Sequence, residues 1–274
     1  MRPQQNHLSV SLHKERNVRY LLDEFEYDWK LEGKAASTVK LYREQLAELF
    51  ERHESIDSLM AKQWLSEKPT QPMRRKRSQA IRAFGAWAEK NEIEGFNWWR
   101  LIPVEKEINR PQETATELDY KKAVVAASTL RDKALVEVLW SCGLRRSEIA
   151  RLDIADVNFS EGFLLIRTSK TGKPRIAPLS PSARHALRKH IGKSSQGSLF
   201  GMTTNAIRLC LMRLGAPSAH AWRRGWAVQS LRSGVSETSV RAAAGWCSGA
   251  MVARYTSALS GELAIDEFQR SWNN

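Results

Sequence analysis

The sequence predicts a mainly α-helical chain with one small β-sheet: a helical N-terminal domain followed by a mixed α/β C-terminal domain. Three observations carry this expectation. Apolar residues recur at three- and four-residue spacing through most of the chain. One stretch, 163–179, instead sets branched apolar runs around a Thr-Gly pair, as a hairpin would. Between the helical regions lies PVEKEINRPQETA, residues 103–115, charged, poor in apolar side chains and carrying two prolines, which is linker composition. A length of 274 residues suffices for two ordinary domains.

The boundaries follow from this pattern: a loose polar N-terminus over 1–15, a helical domain over 16–102, the linker 103–115, a second domain over 116–255 and a tail over 256–274. From about Arg16, the residues Val18, Leu21, Leu22, Phe25 and Trp29 form one apolar stripe that ends by Gly33. Ser37 reads as the N-cap of a second helix burying Val39, Tyr42, Leu46, Leu49 and Phe50. A short helix follows at Ser58–Ser66, broken by KPTQP, and a fourth starts near Met73 with Ala80, Ile81, Phe84, Trp87 and Ala88 inward. Four short amphipathic helices suit a compact helical domain. Arg74, Arg75, Lys76 and Arg77 fall in the first turn of that fourth helix, where cations oppose the helix dipole. Phosphates would neutralise them, and an exposed basic face is the alternative.

Beyond the linker, Thr116 and Asp119 have capping-box spacing. A longer helix is expected over Leu130–Cys142, ended by Gly143, which then delivers Arg145 from a tight turn. Strands are expected at Phe163–Arg167 and Arg175–Leu179, turning at Thr171-Gly172. Helices return at Ser182–Ile191 and Thr204–Leu214, another starts near His220, and two short ones precede Tyr255. In the tail, Ser260 reads as a cap for a helix with Ala264, Ile265, Phe268 and Trp272 on one stripe. So short a helix does not persist alone in water, so it must dock on its own domain or on a neighbouring protomer.

The formal charge is +13, and it is unevenly placed. Residues 1–105 carry 18 Lys and Arg against 16 Asp and Glu, whereas residues 106–274 carry 25 against 14. The basic half favours a polyanionic partner, a solvated basic surface being the bland alternative. Three cysteines without C-x-x-C spacing suggest neither a disulfide framework nor a zinc site. No apolar run approaches membrane-spanning length, and the N-terminus lacks a signal-peptide core. A soluble intracellular protein is therefore expected.

The basic half also holds the chemistry. His220 and Arg223 are three apart and so share a helix face; Gly245-Trp246 follows, and Tyr255 stands nine residues further on. Upstream lies Gly143-Leu144-Arg145-Arg146-Ser147-Glu148, and between the two, on the hairpin, Ser169-Lys170-Thr171-Gly172-Lys173-Pro174-Arg175. Singly, each of these is more often packing or surface. Together they supply a proton carrier, two guanidinium forks, an N–H donor ring and a phenol nucleophile. A phenol has an ordinary pKa near 10 and needs a base or a strong positive field before it attacks. Two guanidiniums aimed at the equatorial oxygens of a pentacoordinate phosphorus would stabilise its charge, and Arg145 and Arg223 are the candidates. Glu148 could orient a catalytic side chain or be an ordinary helix-face residue.

The order Arg, Lys, His-x-x-Arg, His/Trp, Tyr resembles the tyrosine recombinase (phage integrase) family. The resemblance implies a helical core-type DNA-binding domain over 16–102 and a catalytic domain over 116–255. It implies that Tyr255 is the nucleophile forming a 3′-phosphotyrosyl link, Lys170 the general acid and His220 the handler of the nucleophile's proton. Trp246 would bond the phosphate and buttress the Tyr. Neither cofactor nor metal is implied. The partners would be double-stranded DNA at core-type attachment sites and further copies of the chain, a dimer on one site and a tetramer in the synapse, in the cytoplasm of a bacterial host. DNA contacts are expected from Arg74, Arg75, Lys76, Arg77, Lys173, Arg175 and Arg224. Arg224 stands where many relatives have a second His, and Trp246 where Xer recombinases have His. With no room for a folded arm-binding domain ahead of the first helix, the reading is a two-domain recombinase acting at short core sites, and the departure of the motif surroundings from the Xer pattern favours an integrase of a phage or mobile element. The alternatives are a chromosome-dimer-resolving Xer-like recombinase, a type IB topoisomerase, or a non-catalytic DNA-binding regulator.

Overall fold

A computed structural model describes residues 18–53, 56–106, 112–167, 174–249, 252–253 and 260–272. They form two compact units, divided between residues 109 and 110. The first unit consists of α1 (Val18–Leu31), α2 (Ala36–Arg52), α3 (Ser58–Ser66), α4 (Gln71–Lys90) and a 3₁₀ turn at Asn97–Leu101. Their apolar stripes meet in a core rich in aromatic rings, with Phe25 and Phe96 set edge-on to Phe84 at centroid distances of 5.5 and 5.1 Å. The Trp87 indole N–H donates to Asp28 at 2.7 Å and ties α4 to α1.

Two helix starts differ from expectation. Ser37 is not the N-cap of α2: the helix begins at Ala36, and Ala35 precedes it without a side-chain cap. The Ala35 carbonyl accepts the N–H groups of Thr38 and Val39, so Ser37 is already inside the first turn. Helix α4 begins at Gln71 with Pro72 in its first turn, two residues before Met73. Of the basic run, only Arg74 therefore lies in the first turn. It reaches Glu105 at 2.6 Å and the Lys68 carbonyl at 3.2 Å.

Arg77 requires a correction. Expected to meet DNA, it is instead fully buried, its guanidinium 3.6 Å from the Trp64 ring centroid and bonded to the Trp64 carbonyl and to Glu48. Ring and carboxylate together make burial of the cation tolerable.

The second unit is built around α6 (Leu130–Cys142), which is buried on nearly all sides by α5 (Glu117–Ala126), α8 (Pro181–Ile191) and α10 (Ala219–Arg232). The expected capping box is present: Thr116 caps the Asp119 N–H at 3.2 Å and Asp119 returns the bond to the Thr116 N–H at 2.8 Å. Gly143 ends α6 in the left-handed conformation, φ +56°. After α7 (Arg146–Ile149) and a 3₁₀ turn at Ile154–Asp156 comes an antiparallel sheet, order β1-β2-β3, of β1 (Val157–Asn158), β2 (Phe163–Ile166) and β3 (Arg175–Pro178). Leu164 pairs with Ala177, so the inward residues of β2 and β3 face the core together. Strand β1 was not anticipated, since two residues are too few to show alternation.

The unit continues through α8, α9 (Thr204–Arg213), α10, α11 (Glu237–Ala244) and α12 (Ser260–Trp272). Helix α12 lies beside α10 of its own chain, yet Ile265, Phe268 and Trp272 remain exposed. The loose N-terminus, the Thr171-Gly172 turn and most of the second short helix before Tyr255 lie outside the described residues. No described helix is long and apolar enough to cross a membrane.

Candidate active site

Three segments far apart in sequence meet at the N-terminal end of α10. The first is the turn after α6. A Cβ on Gly143 would stand 2.2 Å from the Trp226 ring of α10, so only glycine lets the chain double back this closely. The turn sets Arg145 at the entrance of α7, where its backbone N–H and its Nη1 both donate to Glu148, at 2.8 and 2.7 Å. Glu148 is 4% exposed and accepts a third bond, 2.7 Å long, from Arg175 Nη2 on β3. One buried carboxylate thus holds two guanidiniums. The Arg145 side chain keeps 24% of its surface and Arg175 only 7%. Burial pulls the Arg175 guanidinium below its usual value, and Glu148 opposes that pull.

Arg223, on α10, ties the turn after α6 to the end of α11. Its Nη1 donates to the Gly143 carbonyl at 2.5 Å and its Nη2 to the Ala244 carbonyl at 2.6 Å. The same guanidinium lies 5.0 Å from the Trp246 ring centroid. Gly245, at φ +65°, ends α11 and turns the chain so that Trp246 packs inward. A single side chain thereby fixes both the turn that carries Arg145 and the turn that carries Trp246.

His220 stands in the first turn of α10, which Ser218 caps by accepting the Ala221 N–H at 3.2 Å. Its pKa is lowered below the ordinary 6.5, first by loss of water on the protein side and then by the charges of Arg224, Arg223 and Arg145. The neutral imidazole, able to accept a proton, is therefore favoured at neutral pH. In front of it opens a cleft of about 390 Å³ lined by Arg145, Arg146, Ser147, Thr204, Ser218, Ala219 and His220. A cation, hydroxyls and a neutral imidazole around an open cleft suit a phosphodiester rather than an apolar ligand.

Of the residues singled out from sequence, Arg145, His220, Arg223 and Trp246 come together here. Lys170, Lys173 and Tyr255 lie outside the described residues. Two expected DNA contacts are corrected. Arg175 is enclosed between Glu148 and the Ala243 carbonyl. Arg224 is 7% exposed and bonds to the Glu113 carbonyl and the Gln112 side chain, at 2.6 and 2.8 Å. Sequence reading missed Arg146, Ser147, Thr204 and Ser218 as cleft residues. The available signal was position, since Ser218 stands where a cap must precede His220.

The Phage integrase family model matches residues 113–262. A tyrosine recombinase XerA from Pyrococcus horikoshii is 30% identical over 177 residues, covering 62% of this chain and 60% of that protein. A tyrosine recombinase XerC from Corynebacterium glutamicum is 29% identical over 182 residues, covering 61% and 59%. The match thus spans about 60% of the length of these relatives. Among solved structures, a lambda integrase dimer bound to a COC′ core site aligns with a TM-score of 0.72 at 17% identity, covering 90% of this chain and 77% of that one. The Tn1549 transposon integrase, in complex with a circular intermediate DNA, aligns at 0.67 and 15%, covering 91% and 99%. At such identities these structures establish the fold.

Proposed function

The chain belongs to the phage integrase family, and from that premise we propose that it is a site-specific tyrosine recombinase that cuts and rejoins double-stranded DNA through a 3′-phosphotyrosyl intermediate. The observation that carries this reading is that Arg145 and His220 line one open cleft, while Arg223 bonds behind it to the turn that carries Arg145 and to the turn that carries Trp246. Tyr255 attacks phosphorus, and the sugar 5′-oxygen leaves. Arg145 and Arg223 stabilise the charge gained by the phosphate oxygens. His220, neutral at working pH, takes the phenolic proton or bonds the phosphate, and Lys170 protonates the departing oxygen. Trp246 donates one hydrogen bond and cannot shuttle protons. The phosphotyrosyl link conserves the diester energy, so rejoining needs no other energy source.

The substrate class is a core-type DNA site, and the working assembly is a dimer on one site and a tetramer in the synapse, in the bacterial cytoplasm. Arg74, Arg75, Lys76 and Lys173 supply backbone contacts. Tyr255→Phe tests the central claim. With a nicked suicide substrate, the wild type is expected to give an SDS-resistant protein–DNA band and the variant none, at nearly unchanged DNA affinity. A persistent band in the variant would remove Tyr255 from the role.

Integration of a phage or mobile element is the preferred task, because Trp246 stands where Xer recombinases carry His. Chromosome-dimer resolution is the second reading, favoured by the relatives named XerA and XerC. Mapping the DNA bound by the purified protein separates them: a site at the chromosome terminus supports resolution, and a pair of element-end and host sites supports integration.

A further inference from the structure

Arg224 is the residue of α10 that the chemistry above leaves unused. It stands one turn after His220, on the same helix face, and directly after Arg223. Both arginines are buried, at 1% and 7% exposure. Two neighbouring cations withdrawn from water repel one another and lose hydration, so a helix that served only packing would gain by replacing one with an apolar side chain. What Arg224 holds is residues 112–115, the first described residues of the second unit. Its Nε donates to the Glu113 carbonyl at 2.6 Å and its Nη1 to the Gln112 side-chain oxygen at 2.8 Å.

Two further contacts lay the same segment on the helix. The Ala115 N–H donates to the Ala221 carbonyl at 3.0 Å, in the first turn beside His220. Gly225 has no Cβ, and one built there would meet the Ala115 carbonyl oxygen at 2.2 Å, so the backbones touch where only glycine permits it. Just beyond, the capping box of Thr116 and Asp119 fixes the segment to the start of α5. Residues 112–115 are therefore seated on α10 by a guanidinium, a backbone bond and a glycine contact.

We propose that Arg224 is a positioning residue: by clasping residues 112–115 to α10 it sets where His220 and Arg223 stand, so that seating of the segment joining the two units is a condition for DNA cleavage. This rests on the recombinase reading of His220 and Arg223. A strain on that joining segment is delivered first to Gln112 and Glu113, then through Arg224 to the helix carrying both groups. Binding to DNA and cutting of DNA are in this way separately controlled.

The test uses the full chain with Arg224→Gln, Arg224→Lys, Gln112→Ala and Gly225→Ala. Three quantities are measured: DNA affinity, the single-turnover rate of covalent adduct formation at saturating DNA, and amide exchange over residues 219–223 in the free protein. Arg224→Gln and Gly225→Ala are expected to bind DNA within about twofold of wild type while forming adduct 10–100-fold more slowly, the order of loss that a misplacement near 1 Å produces. Arg224→Lys, which keeps the charge but replaces the two-nitrogen fork by one ammonium nitrogen, is expected to recover part of the rate. Amide exchange over 219–223 should rise in each slow variant. Gln112→Ala removes one bond without orphaning a buried charge, so it keeps the test open should Arg224→Gln fail to fold.

A folded Arg224→Gln or Gln112→Ala with wild-type rate and exchange overturns the proposal. So does an affinity loss with an unchanged rate at saturation, which would make Arg224 a DNA contact. If the wild type forms no adduct at all, the recombinase reading fails instead. The exchange measurement then still decides whether the clasp holds the helix.

Discussion

At the scale of single residues, the site depends on carboxylate and backbone acceptors holding guanidiniums in place. Glu148 touches no substrate in this scheme, yet it anchors Arg145 and Arg175 together. Glu148→Ala would leave both cations without their buried partner, at a cost of about 3–5 kcal/mol. Denaturant unfolding should show that loss, and adduct formation should fall with it. An unchanged midpoint would mean that the ion pairs contribute nothing. His220 gives a second prediction. Its folded pKa lies below 6.5, so the unfolded chain takes up the proton first. Any stability this group contributes is present above pH 6.5 and is lost as pH falls through the folded value. The cleavage rate should follow the same direction, holding near neutrality with its acid limb below pH 6.5. An acid limb above pH 6.5 would exclude a neutral His220 from the rate-limiting step.

At the scale of elements, short turns aim the chemistry. Gly143 is needed twice, for its left-handed φ and for the contact with Trp226. Gly143→Ala must move the α6–α7 turn or the Trp226 ring, either of which displaces Arg145 and the carbonyl that Arg223 grips. The variant is expected to retain its helical circular dichroism and lose most adduct formation, with a lowered melting temperature. Wild-type cleavage by this variant would show that the turn tolerates a side chain. Gly245 also has positive φ, but the atoms nearest its missing Cβ belong to the Arg175 side chain, at 2.8 Å for Cδ, so substitution there acts on the Glu148 network rather than on a helix.

At the scale of the whole molecule, we propose that charge drives DNA binding and that the tail drives assembly. The +11 carried by residues 106–274 should make DNA binding fall steeply with salt, because each phosphate contact releases counterions. Helix α12 exposes Ile265, Phe268 and Trp272, at 59, 60 and 76%, while it lies beside α10. Covering those side chains with a neighbouring protomer would remove apolar surface worth ~25 cal/mol per Å². Truncation after Ser260 is therefore expected to leave a folded monomer that fills one half-site. Cooperative filling of the second half-site and strand exchange should be lost, as read by gel shift. If the truncated chain still assembles cooperatively, the tail serves its own domain.

The helical character of both units, the Thr116 capping box and the Gly143 terminator are legible in local spacing, and the grouping of Arg145, His220, Arg223 and Trp246 is legible in a family motif order. Packing between distant segments supplies what local pattern cannot encode. It buried Arg77 on Trp64 and enclosed Arg175 between Glu148 and Ala243. It turned Arg224 from a surface cation into a clasp on residues 112–115. A cation in a basic run looks the same in sequence whether water, phosphate or a distant carbonyl awaits it. Its partners lie 29, 27 and 111 residues away for Arg77 to Glu48, Arg175 to Glu148 and Arg224 to Glu113. Only the folded chain brings those acceptors within bonding distance, and burial then makes the bond a requirement.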